Sequence, residues 1–181
     1  HPTYPREVND GEDRCSAGES EGHGISVSLL LASEEDSGRA IAQNRGALKK
    51  LGITHILNAA HFKQGSIGDQ DYYGNTCVYC GFPTEDSSHF DLSQYFKPAA
   101  DFIHKALKTK DGKVLVHCIM GISRSATLVL AFLMMHCRLP LRTALKHVTQ
   151  RRAIYPNRHF LSLLLTLDTQ LTRKRRLCPL L

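Results

Sequence analysis

The chain lacks any hydrophobic run long enough to cross a membrane. Its 181 residues contain nothing close to the roughly 18 consecutive apolar residues that a spanning helix requires. No secretory signal is evident in the residues given. We therefore expect no membrane span and an intracellular protein of the cytoplasm, the nucleus or both.

The cysteines also lack the spacing of a disulfide framework. Six are spread along the chain, which favours a reducing compartment. Cys77 and Cys80 form a C-x-x-C, but no second C-x-x-C or spaced histidine pair completes a zinc set. Because Val78 and Tyr79 separate them, we predict a strand here, with the two thiols on opposite faces.

Composition indicates one globular domain, with 42% hydrophobic residues and a mean hydropathy of −0.24. Charge is uneven: residues 1–45 carry four basic and nine acidic side chains, whereas residues 138–181 carry ten and one. A basic half draws anionic substrates. Nothing in the sequence resembles a base-reading motif, so we expect no nucleic-acid partner.

Hydrophobic patterns divide the chain into alternating strands and helices. Residues 25–32 and 53–58 are predicted strands, and residues 37–51 a helix that ends at Gly52. Such alternation implies a sheet with helices on both faces. We predict a flexible polar tail over 1–24, a folded domain over 25–172 and a basic tail over 173–181.

The most informative segment is a strand, a tight loop and an apolar helix that begins near Ser125. Cys118 and Arg124 bracket the loop. Unpaired amides and the positive end of the dipole make a helix N-terminus an anion site, and phosphate is the anion that suits it. Arg124 can grip two phosphate oxygens, and Gly121 lets the backbone bend.

Cys118 stands at the base of this loop, where a nearby arginine and a helix N-terminus favour the nucleophilic thiolate. We therefore predict that it reacts as a thiolate. The alternative is a small buried hydrophobe at the end of a strand. Arg124 and Gly121 favour the first interpretation.

Residues 117–125, His-Cys-Ile-Met-Gly-Ile-Ser-Arg-Ser, resemble the H-C-x-x-G-x-x-R-S signature of cysteine-dependent protein phosphatases. The segment Ala-Thr-Leu-Val-Leu-Ala that follows is similar to the atypical dual-specificity phosphatases. The similarity extends from about Leu48 to Leu171. It implies a three-layer α/β/α fold with a central, mostly parallel sheet of about five strands. The family's usual first strand is not evident here.

The resemblance implies a general acid as well as a nucleophile. Thiolate attack on a phosphate ester expels an oxygen that needs a proton. Asp86 lies 32 residues before Cys118 and resembles the family's acid in spacing and surroundings. Glu85 and Asp91 are rivals, although Asp91 is better explained as the cap of a helix over 92–108.

Further roles follow from the same resemblance. Ser125 would stabilise the departing sulfur, or cap the helix, or both. His117 would support the thiolate, Arg152 would assist a second phosphate or be a solvated helix end, and Asn157 would brace the loop. The resemblance also implies a set of phosphate-binding residues in the loop: Ile119, Met120, Gly121, Ile122, Ser123 and Arg124.

These features predict a protein phosphatase that acts on phosphotyrosine and phosphoserine or phosphothreonine through a cysteinyl-phosphate. No metal or cofactor is implied, because Arg124 and the loop dipoles supply the charge. Inositide phosphatases usually place lysines in the loop, whereas Ile119, Met120 and Ile122 are apolar. The alternative is a weakly active or inactive phosphoprotein-binding scaffold of the same fold.

Phosphorylated proteins, signalling kinases among them, are the expected partners, with the chain a monomer or a weak homodimer. The terminal Cys178-Pro-Leu-Leu also fits a C-a-a-X prenylation pattern. The basic run 173–176 before it has three interpretations: a nuclear signal, an anionic-membrane patch or a solvated end.

Overall fold

A central sheet organises the computed structural model, which describes residues 7–9, 28–31, 38–62, 68–120 and 122–178. Its strands lie in the order β1-β2-β5-β3-β4. Strand β1 pairs antiparallel with β2, and the other neighbours are parallel. The strands are β1 Glu7–Asn9, β2 Ser28–Leu31, β3 His55–Asn58, β4 Val78–Gly81 and β5 Val114–His117.

Seven α-helices accompany the sheet in the described part of the chain: α1 Gly38–Ala42, α2 Arg45–Leu51, α3 Gln70–Tyr73, α4 Phe96–Lys108, α5 Arg124–Met135, α6 Leu141–Thr149 and α7 Arg158–Leu177. The prediction of a single helix over 37–51 is therefore wrong in one respect, because two helices occupy this range. Asn44 interrupts it and caps α2 by accepting a hydrogen bond from the Ala47 amide, 3.0 Å away. Gly52 ends α2 in the left-handed conformation, as predicted.

Successive side chains along the strands point to opposite faces of the sheet and so contribute to two separate apolar layers. Leu57, Val114 and Val116 point into a core shared with α4, α5, α6 and α7. Ile56 and Leu115 point the other way, into a smaller core with α1 and α2. Neighbouring strand residues face opposite sides, and both sets are buried in a core that contains helices. The sheet is therefore covered on both faces. The predicted α/β class, with a mostly parallel sheet between helices, is confirmed.

Helix α5 is the buried centre of the larger layer. All of its residues except the last are buried, and it lies against α4, α6 and α7. A helix that is apolar on every side can be stable only inside such a core. The buried central helix predicted from the sequence is confirmed, and its packing fixes the position of its N-terminus.

Two other helices begin or end differently from the prediction. The helix predicted over 92–108 starts as a 3-10 turn, Leu92–Tyr95, before α4. Asp91 caps that turn by accepting a hydrogen bond from the Ser93 amide at 3.1 Å, as expected. Helix α7 includes the basic run 173–176, which was predicted to lie in a tail.

Residues 1–24 were predicted to be a loose tail, and apart from 7–9 they lie outside the described residues. Within the described residues, no helix is both long enough and apolar enough to cross a membrane.

Candidate active site

The phosphate-loop candidate joins a central parallel strand to the buried helix. Cys118 follows the last residue of β5, and Arg124 is the first residue of α5. In open α/β sheets, ligands bind at the carboxyl ends of the strands. The helix adds its positive end at the same place. Gly121 lies outside the described residues, so its predicted role stays a prediction.

Cys118 faces a hydroxyl group. Its Sγ lies 3.3 Å from the Oγ of Ser125, and both residues are buried. The N-cap position of α5 is Ser123, whose side chain makes no capping hydrogen bond. The interpretation of Ser125 as a helix cap is therefore wrong. Its hydroxyl lies within hydrogen-bond distance of the sulfur, and either atom could be the donor.

Arg124 is a buried cation held at one end. Its Nη1 donates to the carbonyl of Thr84 at 3.0 Å, and the Thr84 hydroxyl in turn donates to the carbonyl of Ala59. The Nε of Arg124 is buried and has no hydrogen-bond partner within the described structure. A buried guanidinium of this kind is costly unless an anion satisfies it.

Asp86 reaches this loop from a distant segment. Its Oδ1 accepts one hydrogen bond from the Ser123 hydroxyl at 3.0 Å and another from Asn157 Nδ2 at 2.8 Å. The backbone amide of Asn157 also donates to Ser123 Oγ at 3.1 Å. We call Asp86, Ser123 and Asn157 the acid cluster. It brings a carboxyl group, the phosphate loop and the start of α7 together.

Asn157 is central to the acid cluster. Its Oδ1 accepts from the Phe160 amide at 2.8 Å and so caps α7, while its Nδ2 also donates to the Ser87 carbonyl at 3.3 Å. The sequence predicted a brace for the phosphate loop. The additional contacts with the segment that carries Asp86 were not predicted.

The remaining predicted residues differ in exposure. His117 is buried, and its carbonyl accepts from the Ala59 amide at 2.7 Å. Ile119 and Met120 are exposed, Ile122 and Arg152 are half-buried, and Glu85 is exposed. How Arg152 lies relative to the loop stays a prediction.

Thr84 was missed by sequence reasoning. It is buried, and its carbonyl accepts the one hydrogen bond from Arg124 described above. Its position two residues before Asp86 was the only signal available. A backbone carbonyl can be supplied by any residue, so the sequence did not single it out.

The C-x-x-C cysteines are not part of this site. Cys77 packs in the smaller core and Cys80 against the larger one, on opposite faces of the sheet as predicted. Burial raises the pKa of both thiols, which favours their protonated form. Among the described residues, no group of three or more His, Cys, Asp or Glu side chains is arranged to hold a metal ion.

Comparison with known proteins identifies the family. Residues 38–170 match the family model for the dual specificity phosphatase catalytic domain. The chain belongs to the dual specificity phosphatase family. The match includes Asp86, the whole phosphate loop and Asn157.

Relatives and solved structures agree with this assignment. The chain is 50% identical over 131 residues to dual specificity protein phosphatase 26 of Bos taurus and of Homo sapiens, an alignment covering 72% of this chain and 62% of each relative. It therefore spans about three fifths of their length. Human DUSP28 superimposes with a TM-score of 0.68 at 28% identity, over 82% of this chain and 93% of that one.

A second solved structure is the human tyrosine phosphatase-like serine/threonine/tyrosine-interacting protein. It is 27% identical, has a TM-score of 0.64, and is matched over 78% of this chain and 91% of that one.

Proposed function

We propose that the protein hydrolyses phosphotyrosine and phosphoserine or phosphothreonine esters in proteins through a cysteinyl-phosphate intermediate. The observation that carries this proposal is the acid cluster. It holds the carboxyl group of Asp86 on the same loop that begins at the Cys118 thiol and ends at the Arg124 guanidinium.

In the first step, the Cys118 thiolate attacks phosphorus and the bond from phosphorus to the leaving oxygen breaks. Asp86 gives its proton to that oxygen. One of its oxygens, Oδ1, is occupied by Ser123 and Asn157. The other oxygen is then the natural carrier of the transferred proton.

Arg124 and the loop amides stabilise the negative charge on the transferred phosphoryl group. The buried Nε of Arg124, which has no partner within the described structure, supports this role. Its Nη1 is fixed on Thr84, so the guanidinium is already oriented before substrate arrives. Preorganised donors of this kind are usually the largest contribution to catalysis.

In the second step, the Asp86 carboxylate takes a proton from water while the water oxygen attacks phosphorus. The bond between phosphorus and sulfur breaks, and the thiolate of Cys118 departs. Ser125 supports that departure because its hydroxyl lies 3.3 Å from the sulfur. His117 precedes the nucleophile in the core and supports the loop geometry. Inorganic phosphate is the product.

The test is turnover of phenyl phosphate, whose leaving oxygen needs a proton, by the purified chain. Cys118→Ser removes the nucleophile, and we expect it to abolish turnover. Asp86→Asn removes the transferable proton, and we expect a loss of about 100-fold or more. Asp91→Asn is the matched control because Asp91 only caps the 3-10 turn. Equal losses in Asp86→Asn and Asp91→Asn, or turnover by Cys118→Ser, would refute these assignments.

A phosphoprotein-binding scaffold is the second candidate. One structural neighbour is itself described as a phosphatase-like interacting protein. The same measurement separates the two functions. A scaffold would bind phosphopeptides with the wild-type loop intact but release no phosphate.

We propose phosphorylated proteins, signalling kinases among them, as the substrates, and a monomer or weak homodimer as the state of the chain. A catalytic thiolate is lost on oxidation, so a reducing compartment, cytoplasm or nucleus, suits it. Cys178 is exposed at the end of α7, and we propose it as the site of prenylation. The intact mass of the protein made in eukaryotic cells would detect this modification.

A further inference from the structure

The phosphate loop carries exposed apolar side chains. Ile119 is 41% exposed and Met120 is 57% exposed, and both directly follow the buried Cys118. In the part of the chain that the structure describes, only seven large hydrophobic side chains reach this degree of exposure. Two of the seven are thus neighbours of the proposed nucleophile.

A third member of the set, Tyr155, is attached to the same loop. Its backbone amide donates to the Ile122 carbonyl at 2.8 Å, and 72% of the residue is exposed. We call Ile119, Met120 and Tyr155 the apolar rim. It combines two residues of the loop with one residue from the segment before α7, whose backbone is hydrogen-bonded to the loop.

The core does not account for the apolar rim. An exposed methionine or tyrosine contributes little to folding, whereas exposed apolar side chains on and beside a ligand-binding loop are available to contact the bound molecule. Two residues of the rim belong to the loop on which the phosphate of the substrate would rest, and the third is hydrogen-bonded to that loop. The chain on either side of the phosphate therefore passes near these side chains.

Charge near the rim favours an apolar partner. No lysine or arginine lies between Cys118 and Arg124. Glu85 and Asp86 are exposed on the segment that contacts the loop, and they repel acidic residues of a substrate. Arg151 is half-buried and hydrogen-bonded to His147. Two cations oppose this preference: Arg158, exposed in the first turn of α7, and the half-buried Arg152.

We propose that the apolar rim selects phosphorylated protein segments whose residues beside the phosphorylated residue are apolar or aromatic. This proposal rests on the proposed phosphatase function and adds the class of sequence that the site takes. Met120 and Tyr155 are the specificity-determining residues because they are the most exposed members of the rim.

The test compares two phosphotyrosine peptides of equal length, one with leucine and phenylalanine beside the phosphotyrosine and one with glutamate. We expect the wild-type kcat/KM to favour the apolar peptide by about 4- to 15-fold, as one or two methylene-sized contacts would give. Tyr155→Ala and Met120→Gln should each bring the ratio towards one. Tyr155→Phe should keep it.

Leu165→Ala is the control, because Leu165 is similarly exposed but lies on α7, and it should leave the ratio unchanged. Equal kcat/KM values in the wild type, a preference for the glutamate peptide, or unchanged ratios in both rim variants would overturn the proposal. Failure of Cys118-dependent turnover of an aryl phosphate would instead overturn the proposed function. In that case the ratio of peptide Kd values, measured on Cys118→Ser protein, tests the rim directly.

Discussion

Shortening Asn157 to serine separates two roles that this single side chain combines. The Oδ1 of Asn157 caps α7, while its Nδ2 holds Asp86 and the Ser87 carbonyl. Serine is as good a helix cap as asparagine, but its shorter side chain carries no amide that can reach Asp86. Asn157→Ser therefore keeps the cap and loses the hold on the acid, whereas Asn157→Ala loses both.

The magnitudes follow from the hydrogen bonds that each variant removes. Both variants lose the hydrogen bonds to Asp86 and Ser87, and loss of the cap should lower the free energy of unfolding of Asn157→Ala by about 1 kcal/mol more than that of Asn157→Ser. Loss of a hydrogen bond to the carboxyl group of Asp86 costs about 1.5 kcal/mol, the lower end for charged partners because Asp86 is exposed. That corresponds to a loss of roughly tenfold in proton transfer for both variants.

The assay uses leaving groups of different basicity. A nitrophenolate leaves without help, so Asn157→Ser should hydrolyse nitrophenyl phosphate almost as the wild type does. An alkyl or unsubstituted phenyl ester needs the proton of Asp86, and its kcat should fall about tenfold. Urea unfolding of the same proteins supplies the stabilities. A loss shared equally by both esters, or none for either, would refute a positioning role for Asn157.

Two further predictions concern the sulfur and the pH dependence of stability. Ser125→Ala removes the hydroxyl beside Cys118, so breakdown of the phosphoenzyme should slow by roughly 10- to 100-fold. Stopped-flow records with phenyl phosphate should then show a burst of released phenol. Single-phase kinetics would contradict this role. His104 stacks on His136 with ring centroids 4.2 Å apart, and burial first, then the facing His136 and Lys108, lower the pKa of His104 below its ordinary 6.5. The unfolded chain therefore binds the proton more readily, so the free energy of unfolding should fall as pH drops below about 6.5. His104→Phe should flatten that dependence between about pH 7.5 and pH 5.5, and an unchanged slope would contradict the assignment.

Local patterns were sufficient for much of the fold. Gly52 ends α2, Asp91 caps the 3-10 turn before α4, and α5 is buried all round, because each of these depends on residues within one turn or on the composition of one segment. The division at Asn44 was missed. An asparagine that caps one helix can also lie in the interior of another. Because the helical period continues across Asn44, the sequence did not indicate that the helix ends there.

The role of Ser125 shows where local patterns fail. A serine near a helix start is a good cap by its chemistry, and only the position of the first turn distinguishes the alternatives. That turn places Ser123 at the cap and directs the Ser125 hydroxyl to the sulfur. The difference between the two cap positions is two residues, which is within the error of boundary prediction, so the sequence left both interpretations of Ser125 open.

The sequence by itself determined the candidate phosphate loop, because Cys118 and Arg124 are held by one short stretch of chain between a strand and a helix. Only the tertiary structure decided what faces that loop. Asp86 and Asn157 are 71 residues apart along the chain, yet their side chains lie 2.8 Å from each other. Their contact depends on how α7 packs against the buried α5 and where the segment after β4 leaves the sheet. No local propensity encodes such a contact, since the summed packing of the larger core fixes it.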